Sequence, residues 1–277
     1  MSDHEASRTA LGTAYLRAAH QLFETHPRIL DDPIALSLLG PAALQKIKDT
    51  ADHYRSPGRL ALRAHVVLRS RFAEDRLAAA VLRGITQYVI LGAGFDTFAL
   101  RQPPWAQALK ILEVDHPGTQ ALKRSHLAAA GLAMPQNATL ATIDFEHESL
   151  LDGLLRYHIS IDEPAFFSWL GVTMYLKEDA IDAVLRSVTK FPAGSEIVLT
   201  FVRPPSNSHS PLARRIARLG EPWVSYFEPD ALKAKLRGNG FSKVEFLSPG
   251  EAEELYFRQR PGELPVPKQT NILCAVL

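Results

Sequence analysis

Two glycines and a carboxylate follow the first strongly apolar run of the sequence, which ends at Leu91. The segment Gly92-Ala93-Gly94-Phe95-Asp96-Thr97 predicts a tight turn from a strand into a helix, because glycine accepts positive φ angles and lets a ligand approach the backbone. About twenty residues further, the next apolar run ends in Glu113-Val114-Asp115, where carboxylates can accept hydrogen bonds from a ribose. Together these segments predict a site for an adenosine-containing ligand.

Dinucleotides and S-adenosylmethionine (SAM) both carry adenosine, and the turn bears on the choice between them. A dinucleotide site needs a third glycine for helix packing and an unopposed helix start for the pyrophosphate, but Thr97 takes the glycine position and Asp96 adds a negative charge. That charge suits the cationic amino group of SAM, which has no phosphate. The alternative is that Asp96 only caps the following helix. SAM is the favoured ligand, and a nicotinamide-dependent oxidoreductase is the second hypothesis.

The composition is that of a soluble globular chain. Its 277 residues are 46% hydrophobic and 22% charged, which is enough to build a buried core. The 31 basic and 30 acidic residues give a net charge of +1, so no excess of positive charge would attract nucleic acid. The beginning lacks a secretory signal, and the apolar stretch 165–176 is too short to span a bilayer. We therefore expect a cytoplasmic protein without a membrane partner. A single cysteine, Cys274, offers neither a disulfide nor a thiolate metal cluster, so we expect it in the core and expect no metal.

Apolar periodicity divides the chain into a helical beginning and an α/β remainder. Up to about residue 84 the pattern predicts helices, over 10–25, 33–48 and 59–83. Seven short β-rich runs follow, at 88–91, 110–114, 139–143, 165–170, 196–202, 243–247 and 272–277.

The connections between these runs predict how the strands pair. Crossover helices fit between the first five runs, most clearly at 118–130 and 177–190, so those strands should pair in parallel. The Pro-rich segment 258–267 makes an antiparallel pair plausible at the far edge. The sequence therefore predicts an α/β fold with a seven-stranded, mostly parallel, doubly wound sheet.

Several segments together resemble the leucine carboxyl methyltransferase-like family of SAM-dependent O-methyltransferases, especially its bacterial members. The central likeness is the run 89–97 with Arg101, followed by Glu113-Val114-Asp115 and Asp144-Phe145. Further segments that fit are 7–10, 26–33, 69–72 and 168–176. The resemblance implies a class I methyltransferase (Rossmann-like) core at 85–277, an N-terminal helical cap at 1–84 within the same domain, and a substrate-side insertion at about 203–229.

The resemblance also implies contacts with SAM, whose product after transfer is S-adenosylhomocysteine (SAH). Gly92 and Gly94 would approach the methionine moiety, and Asp115 would hold the ribose hydroxyls. Asp144 and Phe145 would bracket the adenine. The further residues expected at the cofactor are Ala93, Asp96, Glu113, His116, Trp169 and Leu170.

A basic residue of the cap is expected to bind the carboxylate of SAM, and Arg69 and Arg71 both lie near the position that the family uses. Apolar residues of the predicted helix recur at steps of three or four, which places Arg69 on the apolar stripe and turns Arg71 away. The stripe consists of Leu62, Val66, Ala73 and Leu77. A charge on that face needs a partner, and the arginine fork suits a carboxylate. We expect Arg69 to bind SAM and keep Arg71 as the alternative.

One departure from the family concerns the substrate. Leucine carboxyl methyltransferases have a glutamate five residues before the tyrosine of the fourth-strand motif, where this chain has Leu170 before Tyr175. The missing carboxylate argues against their protein substrate and for a small-molecule acceptor, as in secondary metabolism. The acceptor pocket is expected between the cap and the insertion, with candidate contacts Arg8, Tyr175, Trp223 and Tyr226. Packing of the aromatic residues and solvation of Arg8 are the alternatives.

The need for a general base depends on the acceptor. A carboxylate, with an ordinary pKa of about 4, is already an anion, so alignment and desolvation suffice. A hydroxyl acceptor gains from a histidine, and His116 is the best placed of ten, although Pro117 after it predicts a helix start and a structural role. Tyr175 is a second candidate. The sequence predicts an O-methyltransferase, monomeric or homodimeric, and a non-catalytic cofactor-binding module is the third hypothesis.

Overall fold

The computed structural model describes residues 7–204, 214, 217, 220–260, 262 and 264–277. Within them, seven strands form one sheet. They are β1 (Gln87–Leu91), β2 (Lys110–Asp115), β3 (Ala138–Thr142), β4 (Ala165–Trp169), β5 (Glu196–Thr200), β6 (Lys243–Phe246) and β7 (Ile272–Val276). Each strand coincides with one predicted apolar run, and no boundary differs by more than two residues.

The winding direction of the sheet reverses at β1. The strand order is β3-β2-β1-β4-β5-β7-β6, and β1 pairs in parallel with both β2 and β4. The carboxyl ends of these three strands meet at one edge, which is where open parallel sheets bind ligands. At the far side, β7 runs antiparallel between β5 and β6. The mostly parallel, doubly wound sheet and its antiparallel edge are thus confirmed.

Helices cover both faces of the sheet, as the completely buried strands β1, β4 and β5 require. Among the described residues, the α-helices with defined bounds are α1 (Arg8–Phe23), α2 (Ile34–Asp49), α3 (Ala51–Arg55), α4 (Pro57–Leu82), α5 (Pro117–Ala129), α6 (Leu150–Arg156), α7 (Glu178–Val188), α8 (Pro229–Gly238) and α9 (Pro249–Ala252). The five helices predicted from periodicity are α1, α2, α4, α5 and α7, and all are confirmed. A π-helix, Glu253–Phe257, continues α9.

The connection from β1 to β2 differs from the prediction. Instead of an α-helix after Thr97, the chain forms two short 3-10 helices, Phe98–Leu100 and Pro104–Ala106. Pro103 and Pro104 fix φ and lack N–H donors, so they end any helix that begins at residue 98 within its second turn. The predicted tight turn is therefore present, but the prediction of an α-helix after it was wrong.

The N-terminal helices occupy two different layers. Leu77 and Ala80 of α4 pack in one buried cluster with Phe166 of β4 and Val198 of β5. By contrast, α1 and α2 build a separate cluster that takes in Phe95 of the glycine-rich loop. Within the predicted cap, α1 and α2 therefore cover the loop, whereas α4 covers the sheet.

Three further expectations concern single features. Cys274 lies in β7 and is 1% exposed, which confirms its predicted place in the core. None of the described helices combines the length and the apolar character needed to cross a bilayer. Among the same residues, no group of three or more His, Cys, Asp or Glu side chains is arranged to hold a metal ion.

Candidate cofactor and acceptor site

The glycine-rich loop begins at the carboxyl end of β1 and is packed too closely for larger residues. Gly92 and Gly94 have φ angles of 66° and 52°. A Cβ atom on Gly92 would lie 2.3 Å from Cγ2 of Val172, and one on Gly94 would lie 3.1 Å from Cβ of Ala10. Ala93, between the two glycines, is buried. The left-handed backbone and the close neighbours both favour glycine at these two positions.

Asp115, the last residue of β2, contacts this loop directly. Its Oδ2 accepts a hydrogen bond from the Gly94 N–H at 2.5 Å, and its Oδ1 accepts one from the His116 N–H at 2.7 Å. Burial raises the pKa of Asp115, and these two N–H groups oppose the rise. Each carboxylate oxygen keeps a second lone pair. The structure thus brings the loop and the acidic residue together and leaves acceptor capacity for ribose hydroxyls.

Asp96 performs one of the two roles considered for it and has the geometry for the other. Its Oδ1 accepts a hydrogen bond from the Phe98 N–H at 2.7 Å, which holds the start of the 3-10 helix. Its other carboxylate oxygen accepts no hydrogen bond from the described residues, and the side chain is only half-buried. Holding this turn and attracting a cationic amine are therefore compatible functions of one carboxylate.

Glu113 lies beneath the loop rather than at its surface. Its side chain is fully buried, and Oε2 pairs with Nζ of Lys123, which also donates to the Asp96 carbonyl at 2.6 Å. Burial outweighs the neighbouring ammonium group and raises the pKa of Glu113 to about 7. A carboxylate buried in this way needs a charged partner, so its side chain is directed to Lys123 and not to the cleft. We infer that this pair supports the loop from below.

The two candidate arginines have different surroundings. Arg71 pairs with Asp75 on the same helix at 2.9 Å, and the side chains are 40% and 39% exposed. Arg69 is half-buried and forms no ion pair with a described residue. A Cβ atom on Gly171 would lie 2.4 Å from its Nη1, so the guanidinium lies against the loop that follows β4. Burial lowers the pKa of Arg69 to about 10. Arg69 is suited to an incoming carboxylate, whereas Arg71 is already neutralised.

His116 has a structural place at the start of α5. Its Nδ1 accepts a hydrogen bond from the Gly118 N–H at 3.2 Å, and its Nε2 lies 3.6 Å from Oδ2 of Asp144. Pro117 is the first residue of the helix, which confirms the predicted helix start. Because the nitrogen that accepts is used for capping, a neutral His116 has no free base nitrogen in this arrangement. The geometry therefore supports the structural role over the catalytic one.

The predicted adenine end combines a carboxylate with aromatic side chains. Asp144 follows β3, and its Oδ1 accepts a hydrogen bond from the Glu146 N–H at 3.0 Å. Burial raises the pKa of Asp144, but its hydrogen bonds outweigh this and hold it below the ordinary value. Phe145 packs edge-on against Trp169, with ring centroids 6.4 Å apart. Trp169 is fully buried behind Phe145, and Leu170 packs against the cluster that contains α4.

The acceptor candidates gather around Tyr175, the last residue of a 3-10 helix after β4. The Val224 N–H donates to the Met174 carbonyl at 2.8 Å, which ties the end of the insertion to this turn. Trp223 and Tyr226 are half-buried, and the Tyr226 hydroxyl donates to the Trp223 carbonyl at 3.4 Å. Burial raises the pKa of Tyr175. Within the predicted insertion, 205–213, 215, 216, 218 and 219 lie outside the described residues.

Glu221 is a residue of the site that the sequence does not reveal. It is 8% exposed, and its carboxylate accepts from the N–H groups of Arg8 at 2.6 Å and Thr9 at 3.3 Å. The Ser7 hydroxyl donates to it at 3.0 Å. These groups stand at the start of α1, where unsatisfied N–H donors and the helix dipole favour a negative charge. Arg8 contributes its backbone, while its side chain, the predicted acceptor contact, is exposed.

A comparison with protein families decides between the cofactor hypotheses. The model of the leucine carboxyl methyltransferase family matches residues 10–189, which contain α4, the glycine-rich loop and Tyr175. The chain belongs to the leucine carboxyl methyltransferase family. It is a methyltransferase, and SAM is its methyl donor. The nicotinamide-dependent oxidoreductase therefore finds no support.

Two relatives match over most of their length. YktD of Bacillus subtilis, whose name describes it as a SAM-dependent methyltransferase, is 30% identical to this chain. The match covers 100% of this chain and 99% of YktD. A Parafrankia protein with a name of the same kind is 32% identical, over 94% of this chain and 84% of its own length. Neither name specifies a methyl acceptor.

Two crystal structures share the fold. A Streptomyces avermitilis DUF574 family protein has a TM-score of 0.57 at 19% identity, with 99% of this chain and 98% of the other covered. A Thermobifida fusca protein described as a methyltransferase has a TM-score of 0.54 at 20% identity, with 92% and 94% covered. With the strand order, these likenesses confirm the class I methyltransferase fold.

Proposed function

We propose that this methyltransferase transfers the methyl group of SAM to an oxygen atom, in a carboxylate or a hydroxyl, of a small molecule of secondary metabolism. The cover over the glycine-rich loop carries the proposal: Ala10 of α1 lies 3.1 Å from where a Cβ on Gly94 would stand. Glu221 of the insertion binds the start of the same helix. A site closed by two segments in this way favours a compact ligand over a folded protein surface.

The substitution in the fourth-strand motif supports the same conclusion. Leu170 stands where the family's enzymes for protein substrates are expected to have a glutamate, and here it is half-buried against apolar neighbours. A carboxylate that faced a protein substrate is therefore missing, and the side chain in its place contributes packing.

The described residues fit SAM at separate points of the sheet edge. Arg69 offers an unneutralised guanidinium for the carboxylate, Asp96 a carboxylate for the ammonium group, and Asp115 an acceptor for the ribose. Asp144 and Phe145 would frame the adenine. When bound, SAM supplies an electrophilic methyl group whose sulfur leaves without protonation. The chain's own residues then hold the reactants in line and exclude water.

The proposed partner is a small acceptor molecule, bound by a monomer or a homodimer. The net charge of +1 supports the absence of a nucleic-acid partner, because no excess of basic residues would attract phosphates. Tyr175, Trp223 and Tyr226 give the acceptor side apolar surface with a few polar tips, which suits an organic acceptor that carries one reactive oxygen.

Ligand binding and label transfer test the proposal in that order. SAM and SAH should raise the Tm of the purified protein, because a ligand that binds only the folded state stabilises it, and NADH should not. Methyl-labelled SAM is then incubated with a panel of small carboxylic acids, phenols and alcohols, and we expect label in an ester or an ether. Transfer only to nitrogen, sulfur or a protein carboxyl terminus would contradict the proposal. Binding of SAM with no transfer to any acceptor would favour the non-catalytic module.

A further inference from the structure

Three arginines on or just after α4 show how this helix crosses the sheet. Arg83, Arg76 and Arg69 are spaced by seven residues, so they share one face of the helix region. Arg76 and Arg83 both pair with Glu196, the first residue of β5, the former at 3.3 Å. Arg69 instead lies against Gly171, beyond the end of β4. α4 therefore runs antiparallel to these strands, and its earlier residues pass the carboxyl edge of the sheet.

His65 is the next polar side chain along this face. It precedes Arg69 by one helical turn, about 6 Å along the axis, and the two side chains differ by about 40° in direction around the helix. Because Arg69 already reaches the loop after β4, His65 stands farther out, beyond the sheet edge. Arg69 interacts electrostatically with His65, and it also interacts with Tyr175 and Asp96. The helix thus places His65 beyond the carboxyl edge of the sheet, beside Arg69, which is also an electrostatic neighbour of the acceptor candidate Tyr175.

The surroundings of His65 leave its ring available to a ligand. The side chain is half-buried, and no hydrogen bond, ion pair or ring contact joins it to a residue that the structure describes. Burial lowers its pKa to about 3, and the charge of Arg69 acts in the same direction, so the imidazole is neutral near pH 7. A neutral imidazole has one nitrogen that donates and one that accepts. Its ring nitrogens are not among the buried unpartnered atoms of the described residues, so a ligand can hydrogen-bond to them in place of water.

We propose that His65 is a catalytic residue that contacts the methyl acceptor, and that the acceptor presents a hydroxyl group to it. This inference rests on the proposed function and narrows the acceptor from a carboxylate or hydroxyl to a hydroxyl. A carboxylate would need a cation beside it, and Arg69, the charged group next to His65 on this face, is assigned to the carboxylate of SAM. A neutral imidazole instead accepts a hydrogen bond from a hydroxyl and thereby orients the oxygen.

The assignment also accounts for the proton that a hydroxyl must lose. Transfer forms an O–C bond and breaks the S–C bond of the methyl donor, whose electron pair stays on sulfur. The hydroxyl becomes strongly acidic as the O–C bond forms, so even a weakly basic imidazole accepts its proton and passes it to water. A carboxylate acceptor releases no proton and gives His65 no such role.

Binding tests the inference without turnover. The imidazole signals of His65 are followed by NMR in ¹⁵N-labelled protein saturated with SAH, and are assigned by their loss in His65→Phe. Titration with neutral phenols and alcohols should shift them for those compounds that bind, and carboxylates without a hydroxyl should not. If no hydroxyl compound in the panel shifts the signals, or if simple carboxylates shift them equally, the inference is overturned.

Kinetics separate this inference from the proposed function. With each hydroxyl acceptor found, His65→Phe and His65→Gln should lower kcat/KM at least about tenfold, which is less than the usual contribution of general acid–base catalysis because this imidazole is a weak base. The Kd for SAM should stay within about twofold, which also shows that the variants are folded. His53→Gln, on the exposed surface of α3, is the control and should change neither quantity. Unchanged kcat/KM in both His65 variants would refute the role of His65 alone, whereas wild-type protein that fails to bind SAM would refute the proposed function.

Discussion

The cofactor edge and the acceptor side adjoin one another but are held by different kinds of contact. On the cofactor edge, neighbouring strands supply the residues. Gly94 follows β1, Asp115 is the last residue of β2, and these two strands pair in parallel. The Gly94 N–H donates a hydrogen bond to the Asp115 carboxylate. On the acceptor side, the contacts join distant parts of the chain, as where Glu221 binds the start of α1. Sheet topology therefore fixes the first region, and the packing of helices and insertion fixes the second.

This difference predicts how each region responds to substitution. A change in the glycine-rich loop moves the backbone, because its neighbours leave no space for a Cβ atom at Gly92. A change at Glu221 removes side-chain hydrogen bonds and leaves the sheet edge intact. The cofactor edge should thus lose SAM affinity, and the acceptor side should lose acceptor affinity and local stability.

Gly92→Ala should have the largest effect, since it disturbs the cofactor edge at its tightest point. The new Cβ would lie 2.3 Å from Cγ2 of Val172, so the loop must shift and carry the Gly94 N–H away from Asp115. We expect the Kd for SAM to rise about 100-fold, roughly 2.7 kcal/mol, as measured by isothermal titration calorimetry.

Gly131→Ala is the matched control for this change. Gly131 has a φ of 63°, close to the 66° of Gly92, but a Cβ atom added to it would meet nothing within 4 Å. The substitution therefore brings the same backbone strain without the clash, and its Kd for SAM should stay unchanged. If both variants lost SAM affinity equally, backbone strain, and not the shape of the glycine-rich loop, would account for the loss.

Arg69→Gln compared with Arg71→Gln sharpens the boundary between the two regions. If Arg69 binds the carboxylate of SAM, its loss should raise the Kd about 30-fold, because a charge-assisted bidentate contact disappears. Arg71 is already paired with Asp75, so the same change there should alter the Kd less than about threefold. Calorimetry with SAM measures both, and equal effects would place the carboxylate elsewhere.

The cofactor edge was also the part that the sequence predicted best. Apolar runs located the ends of β1 and β2, and a parallel pair brings such ends together, so Gly94 and Asp115 could be placed from the sequence alone. Helical spacing separated Arg69 from Arg71, because burial follows the apolar stripe. The same spacing puts His65 one turn before Arg69. Its proposed place beside the acceptor, however, could be inferred only from the direction in which α4 crosses the sheet.

What could not be predicted depends on contacts between distant residues. Glu113 ends in a buried pair with Lys123, and no periodicity links a strand residue to that particular helix position. Glu221 reaches the start of α1 only because the fold brings residues 213 positions apart into contact. The helix expected after Thr97 failed because Pro103 and Pro104 override the general strand-to-helix pattern.

Glu221→Gln tests the acceptor side. The amide keeps one acceptor oxygen but loses the charge at the start of α1, so the free energy of unfolding should fall by about 1 kcal/mol. Amide hydrogen exchange at residues 8 and 9 should accelerate, while the Kd for SAM changes less than about threefold. Glu228→Gln is the control, since Glu228 is exposed and its side chain caps no helix. A loss of SAM affinity as large as that of Gly92→Ala would erase the distinction between the two regions.

Glu113→Gln tests the buried pair beneath the loop, and its effect on stability depends on pH. The pKa of Glu113 is about 7 in the folded protein and about 4.5 when unfolded, because burial outweighs the partner Lys123. Between these pH values the folded state holds a proton that the unfolded state has lost, so this group's contribution to stability declines as pH rises through the window. The difference in free energy of unfolding between wild type and Glu113→Gln should therefore decrease by about 3 kcal/mol from pH 4.5 to 7, in addition to a pH-independent loss of stability from the unpaired lysine. Urea unfolding at several pH values measures this difference in free energy. Glu253→Gln is the control, because Glu253 is exposed. A difference that stays constant across the window would show that Glu113 is ionised throughout, and the pair beneath the loop would then be an ordinary ion pair.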